Sequence, residues 1–431
     1  MKSLSILFAL LSLQALASSG FSTDASQTWA RAKKNQKPVL ISFYGIWCPP
    51  CNELEETVFE TPNFIQKAKR FELLKVDADA KTSWELKSKY KVGGYPTVIF
   101  TTPAGSEIYR LVGYRTPNEF LRIMDLVIGA KGKDLEKSCQ SSKTEDLWRC
   151  AVVCTERQEK TCADKAYQKL ESKVAKGSLR YEQARAYFVE TAATEDLKRV
   201  GYENLLSEFP ESPLAFLWSL DYLKLFEGSS TLAPKKEVLE KVLSQYAKIS
   251  SDKRAEEAGV TPTDMAQIRA ILLEKLGKKE EAKAAWKEAS LQLETLAKEL
   301  PKNSFARGFT LERISCLEEM GELNGAIKLA NEYRQKFPSE FTFHYSLASL
   351  LEREKRYAEA LPVAKEAYQF SYGDNKIRAA TLLVNLYGTV PDKASAKEVF
   401  ETVTREIQPD SQLEVRTHRY LKKLQEAFQR I

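Results

Sequence analysis

The chain has 431 residues, more than one ordinary hydrophobic core accommodates, so it divides into several units or into one small domain plus an extended array. Hydrophobic residues make up 43% and charged residues 29%, the balance of a soluble globular protein without the Gly and Pro excess of low-complexity chains. The net charge of +6 is mild, and Lys alternates with Glu without a basic run long enough to follow a phosphate backbone, which argues against nucleic acid as a partner.

Residues 1–17 read as a signal peptide: Lys2 is the charged start, Leu4 to Leu16 are mostly apolar, and Ala15-Leu16-Ala17 places small residues before a cut at Ser18. The apolar run is short for a bilayer, so an uncleaved anchor is the lesser alternative, and no later segment is apolar for long enough to insert stably. The expected location is periplasmic or otherwise exported. In such a compartment most of the seven cysteines should be paired.

Residues 18–131 alternate helical and strand patterns. Asp24 caps a helix reaching about Asn35, and Pro38 to Tyr44 is a buried strand. A helix opens at Cys48, and Thr61-Pro62 restarts helix with a capping residue followed by proline at the first helical position. Phe71 to Asp77 reads as a strand and Ala80 to Tyr90 as a helix. Strands Pro96 to Thr102 and Glu107 to Gly113 flank a Pro103-Ala-Gly105 turn, and Thr116-Pro117 opens a last helix ending near Gly129. Strands between helices imply a central sheet covered on both faces.

Beyond Lys133 helical spacing dominates. Residues 132–178 read as a cysteine-containing helical hairpin at the junction, and 179–431 as a tetratricopeptide-like array of helical hairpins. Leu276-Gly277, Ala282, Trp286 and Ala289 mark a unit starting near Thr263; Gly321, Ala326 and Pro338 mark one near Arg307; Ala348, Tyr357, Ala360 and Ala367 mark one near Phe341. The second and third lie one repeat period of ~34 residues apart. Tyr202 to Pro210 matches the second helix of an earlier unit. An irregular helical bundle is the alternative.

Trp47-Cys48-Pro49-Pro50-Cys51 follows the first strand and opens a helix. A cysteine there has its thiolate stabilised by the helix N-terminus, and two intervening residues bring the second sulfur within bridging distance. A lone CxxC is half a zinc site, a structural disulfide or a redox pair. Zinc would need two more ligands, and the two histidines, His344 and His418, are remote, so no metal is expected and the other two readings remain. Some ~45 residues on, Val92-Gly93-Gly94-Tyr95-Pro96-Thr97 places a proline at the entry of a buried strand, where a ladder hydrogen bond is lost.

Together these motifs resemble the thioredoxin-like superfamily over about residues 24 to 131. Tyr-Pro-Thr is similar to protein disulfide isomerases, while Cys51-Asn-Glu-Leu-Glu-Glu-Thr-Val-Phe59 and Thr61-Pro-Asn-Phe64 resemble the C-terminal domain of DsbD-type reductases and related exported proteins. The resemblance implies an α/β thioredoxin fold with a central mixed sheet, a cis Pro96 facing the pair, Cys48 as exposed nucleophile and Cys51 as buried resolving thiol. It further implies that Pro96 keeps substrate cysteines from closing on the pair, that the Tyr95 backbone holds a substrate strand, and that Trp47 packs beside the site. Plain core packing is the alternative for Trp47 and Tyr95. The only cofactor implied is the Cys48–Cys51 disulfide itself. Ser42 stands where these families usually carry a buried acid, and Glu55, four residues past Cys51, matches a second acid of DsbD-type domains; it either tunes the pair or is a surface carboxylate.

Cys139, Cys150, Cys154 and Cys162 form a second cluster, read as two structural disulfides stapling a hairpin. Four cysteines allow three pairings, of which Cys139 with Cys150 and Cys154 with Cys162 is preferred; exchange with Cys48–Cys51 is the sharper alternative. Cys316 reads as a buried free thiol. The expected function is an exported thiol–disulfide oxidoreductase, reductase or isomerase favoured, acting on protein thiols while the array docks a partner protein. The alternative is a scaffold whose array binds partners and whose disulfide is idle.

Overall fold

The computed structural model describes residues 20–129, 135–227, 233–302, 304–407 and 415–431. The expected signal peptide, residues 1–17, and the junction near 131 lie outside the described residues. The first unit is built on a four-stranded sheet of β1 (Val39–Tyr44), β2 (Glu72–Asp77), β3 (Thr97–Thr101) and β4 (Glu107–Val112) in the order β2-β1-β3-β4. β1 runs parallel to β2 and antiparallel to β3, with Ser42 opposite Lys75 and Val98. It is central because Val-Leu-Ile-Ser-Phe can be buried on both faces: Val39, Ile41 and Phe43 join one core, Leu40 the other, as side chains alternate along a strand.

Helices α1 (Ala25–Asn35) and α4 (Trp84–Lys89) cover the first face, and α2 (Pro49–Leu54), α3 (Pro62–Ala68) and α5 (Pro117–Gly129) the second. The caps form as the sequence predicts. Asp24 accepts from Gln27 N–H at 2.9 Å and Thr61 from Phe64 N–H at 3.3 Å, each satisfying a first-turn donor. The stretch expected as one helix from Ala80 begins with a 3₁₀ turn, Lys81–Ser83, and α2 runs into a π turn, Glu55–Phe59.

Every named element after residue 134 is helical. α6 (Leu135–Gln140), α7 (Thr144–Glu156) and α8 (Lys160–Glu171) form the junction hairpin, and α9 (Leu179–Glu190), α10 (Glu195–Glu208), α11 (Ala215–Lys224) and α12 (Lys236–Ser244) follow. After the short α13 (Tyr246–Ser250) and α14 (Arg254–Ala258) come α15 (Pro262–Lys275) with α16 (Lys279–Glu299), α17 (Arg307–Glu319) with α18 (Leu323–Lys336), and α19 (Phe341–Arg353) with α20 (Tyr357–Phe370). These hairpins carry the units read from sequence. Ala282, Ala326, Ala348, Ala360 and Ala367 are buried where paired helices approach closely. A further hairpin, α21 (Asp374–Thr389) with α22 (Lys393–Glu406), turned by Val390-Pro391-Asp392, is not among the units read from sequence; α23 (Val415–Gln429) closes the array.

The array packs on the α/β unit of its own chain. α17 crosses α2 at Gly308, where even a Cβ would lie 2.8 Å from the Pro49 carbonyl oxygen. The loop before α21 presses Gly373, at φ 55°, onto the Asp79 backbone, against whose oxygen a Cβ would stand 2.2 Å away. The junction hairpin docks on the other side of the sheet, where Arg157 reaches Glu107 on β4 at 3.0 Å and Glu107 also holds the buried Arg110 at 2.6 Å.

Candidate redox site

β1 ends at Tyr44, and Gly45-Ile46-Trp47 turns the chain into α2. Gly45 is required there, since a Cβ would stand 2.9 Å from the Trp47 indole. Cys48 is the N-cap of α2, in extended backbone, and its Sγ accepts from Cys51 N–H at 3.3 Å. Prolines 49 and 50 occupy the first helical turn, where no N–H is missed. Cys48 and Cys51 are joined as a disulfide, Cα to Cα 5.2 Å. At the end of the sheet where Thr97 pairs with Phe43 of β1, the Tyr95–Pro96 peptide is cis, and the Pro96 carbonyl accepts from Gly113 N–H at 2.9 Å, tying the entry of β3 to the end of β4.

The expected exposed nucleophile is not exposed. Cys48 is 3% accessible and Cys51 6%, so both sulfurs lie inside. The reason is the array, which rims this face. Phe341 of α19 packs in one cluster with Trp47, and the Arg378 and Arg416 guanidinium groups each lie 5.5 Å from the Trp47 ring. Arg416 also stands 5.3 Å from the Tyr95 ring, which meets Trp47 edge-on. Arg307, at the start of α17, donates to the Ile46 carbonyl at 3.2 Å while its guanidinium forks onto Glu340.

Two carboxylates organise this closure, and sequence reasoning passed over both. Asp79, just past β2 and 4% accessible, accepts from Trp47 Nε1 at 2.6 Å, Asn375 Nδ2 at 3.0 Å and Arg416 Nη2 at 3.0 Å. Burial raises its pKa, while the Trp47 hydrogen bond and Arg416 pull the other way. Glu56, in the π turn, accepts the N–H groups of Arg307 at 2.7 Å and Gly308 at 3.3 Å, so a side chain of the α/β unit caps an array helix. Ala306, in left-handed backbone at φ 51°, immediately precedes those two donors. Burial raises the Glu56 pKa and the two backbone donors oppose it. The sequence signal was present in Glu53 and Glu56, two acids on the cysteine-bearing segment, but their partners lie about 250 residues downstream.

Glu55 is placed differently from either of them. Its Oε2 pairs with Lys75 on β2 at 2.7 Å, both side chains part-exposed. Ser42 is buried in β1. In the second cluster, Cys139 is joined to Cys150, S–S 2.03 Å, and Cys154 to Cys162, S–S 1.98 Å, stapling α6, α7 and α8. Their sulfurs all lie within 4.8 Å of one another, near enough to hold a metal ion if all four were thiolates. Cys316 is free and buried in α17, and burial pushes its thiol up to about 12, which leaves little thiolate to react.

Residues 26–128 match the family model described as a thioredoxin-like domain. Over 88 residues the chain is 38% identical to the thiol:disulfide interchange protein DsbD of Pseudomonas fluorescens, a match covering 20% of this chain and 15% of that protein. It is 32% identical to a protein disulfide-isomerase of Hordeum vulgare over 117 residues, covering 26% of this chain and 22% of the relative. The chain therefore spans less than a quarter of the length of either relative. Among solved structures it is similar to a thioredoxin from Thermus thermophilus, at 30% identity and TM-score 0.25 over 26% of this chain and 91% of the other. It is also similar to a tetratricopeptide repeat protein from Parabacteroides merdae, at 12% identity and TM-score 0.38 over 65% of this chain and 98% of that one. Strand, disulfide turn, cis-proline entry and family match all fall on the same residues, and residues 26–128 form a thioredoxin-like domain.

Proposed function

We propose that the chain is an exported thiol–disulfide oxidoreductase, acting as a reductase or isomerase on protein substrates, with Cys48 and Cys51 as its redox pair. The observation that carries this reading is the Cys48–Cys51 disulfide at the N-terminus of α2, in a chain whose β3 is entered through the cis Tyr95–Pro96 bond. Once reduced, the Cys48 thiolate attacks a substrate disulfide, forming a mixed disulfide and releasing one substrate thiolate. Cys51 then attacks the Cys48 sulfur, which releases the second substrate thiolate and re-forms the pair; two electrons have passed to the substrate. A dithiol donor must restore the reduced state. Pro96 keeps a substrate cysteine from closing on the pair, Tyr95 offers backbone to a substrate strand, and Trp47 shapes the rim. Glu55, one turn beyond Cys51, is the acid proposed to handle the resolving thiol's proton.

The array then has two duties, docking a partner protein and covering the pair. Export rests on residues 1–17 and on the resemblance to DsbD; no helix among the described residues is long and apolar enough to cross a membrane. The 3% accessibility of Cys48 favours a second reading, a binding scaffold with an idle disulfide. An insulin-reduction assay driven by dithiothreitol separates the two. The oxidoreductase reading expects turnover by the wild type and none by Cys48→Ser, and equal behaviour of the two hands the case to the scaffold.

A further inference from the structure

One cavity, of about 520 Å³, lies at the junction of the thioredoxin-like domain and the array, and the redox reading makes no use of it. Pro50, between the two cysteines, forms part of its wall, and Leu293, Leu296 and Phe309 supply an apolar side. Three carboxyl groups, those of Glu53, Asp264 and Glu312, converge on it. Their meeting follows from Gly308. Because that residue lets α17 lie against α2, Glu312, one turn further along α17, comes beside Glu53. Gln267 Nε2 donates to Glu312 Oε2 at 3.1 Å, and Asp264 is occupied in the capping box with Thr261. Glu53 differs from both. It is 8% accessible, and its Oε1 has no hydrogen-bond partner among the described residues.

The wall carries one basic residue, Arg115, and its guanidinium is engaged by the carbonyls of Val112 and Tyr114 and by Glu119. Two buried carboxyl groups side by side cannot both ionise unless a positive charge joins them. Left alone they share a proton: burial and the neighbouring Glu312 raise Glu53 well above its ordinary value, and burial with Asp264 raises Glu312, against the pull of its hydrogen bonds to Glu53 and Gln267. The positive charge that fits is not a bare metal ion, which calls for a full shell of oxygens. Among the described residues the only set of three or more His, Cys, Asp or Glu side chains close enough to share an ion is the four clustered cysteines, not these carboxyls. A long apolar wall ending at carboxyl groups matches a cation on a hydrocarbon stem.

We propose that this cavity binds a primary alkylammonium group, the charge held by Glu53 and Glu312 and the stem laid along Leu293, Leu296 and Phe309. The group is either the side chain of a lysine on a polypeptide presented to the redox pair or a free aliphatic amine. Binding releases the proton the two carboxyls otherwise retain. The site stands independently of the redox reading, since a chain with an idle disulfide would bind the same ligand.

Calorimetric titration of the oxidised full chain with 1-aminopentane at neutral pH tests this, with 1-pentanol and calcium chloride as comparisons. Expected are saturable binding of the amine, none of the alcohol at the same concentration, and a heat that varies with the buffer's ionisation enthalpy because a proton leaves. Glu53→Gln and Glu312→Gln should each weaken the amine by about tenfold or more, the loss of one charged hydrogen bond. A lysine peptide capped by acetyl at its N-terminus, its side-chain ammonium free, that binds more tightly than the amine while its norleucine version does not bind identifies the polypeptide source; the reverse order identifies the free amine. Equal binding of amine and alcohol, calcium binding without amine binding, or wild-type affinity in either folded Gln variant overturns the proposal. Should both variants fail to fold, the amine–alcohol contrast and the proton release in the wild type decide.

Discussion

Gly308 is the point at which the array's hold on the redox helix can be weakened by a single methyl group. In Gly308→Ala the new Cβ would stand 2.5 Å from Glu53 Cγ, 2.7 Å from Glu53 N and 2.8 Å from the Pro49 carbonyl oxygen. Two of those neighbours are backbone atoms of α2 and cannot rotate away, so α17 must shift. Overpacking of this kind costs ~1–3 kcal/mol, and the cost falls on the closed arrangement alone. The open population, and with it the rate at which an external reductant reaches Cys48–Cys51, then rises by about 5- to 150-fold. The assay follows reduction of the folded, oxidised chain by excess dithiothreitol, with acid quenching, maleimide labelling and mass counting of freed thiols. Gly325→Ala is the control, since its Cβ would meet only the Leu317 side chain at 3.6 Å. Reduction of Gly308→Ala at the wild-type rate would refute the idea that the array gates the disulfide.

Further outcomes follow from the same contacts. Arg416→Ala strands Asp79 and Asp374, which its guanidinium joins at 3.0 and 2.6 Å, and should cost ~3–5 kcal/mol by urea unfolding; a loss below ~1 kcal/mol would show the pair to be solvated. Glu53 and Glu312 are both raised above the ordinary 4.5, burial first, so the folded chain keeps a proton that the unfolded chain releases. Folded stability from this pair is therefore full at low pH and falls as pH climbs from about 4.5 through the raised folded value. Glu312→Gln should flatten that part of the pH–stability curve, and an unchanged slope would count against it. Replacing Cys139 and Cys150 together by Ser opens an 11-residue separation and should cost about 3 kcal/mol, read from the melting of α6 to α8. Glu55→Gln breaks a part-exposed pair with Lys75, worth up to ~1 kcal/mol, and an unchanged Cys51 titration would remove Glu55 from the mechanism.

What was legible in the sequence is what neighbouring residues decide. The buried run in β1, the Cys48-Pro-Pro-Cys51 turn, the proline at the entry of β3 and the caps at Asp24 and Thr61 each need only a few adjacent side chains. The cis bond at Pro96 and the thioredoxin-like sheet follow from them. The array's hairpins were readable where small helix residues recur in phase, with a Gly turn in two of the three units, and the α21–α22 hairpin, turned by Val390-Pro391-Asp392, was not singled out. The site's surroundings were not readable. Asp79 takes Asn375 and Arg416, and Glu56 takes Arg307 and Gly308, across hundreds of residues, and no local pattern announces such pairs. For the same reason Glu55 drew attention in the sequence while Glu53 and Glu56, its neighbours, face the array.

The central claim is that Cys48 and Cys51 exchange electrons with dithiols in the folded chain although the array encloses them. The direct measurement equilibrates the full chain in graded dithiothreitol or glutathione redox buffers, labels the free thiols after acid quenching, and counts them by mass. A reversible two-electron transition confined to Cys48 and Cys51, within the range of biological dithiols from roughly −300 to −100 mV, is the predicted result. A pair that stays oxidised across that range until the chain itself unfolds would contradict the account.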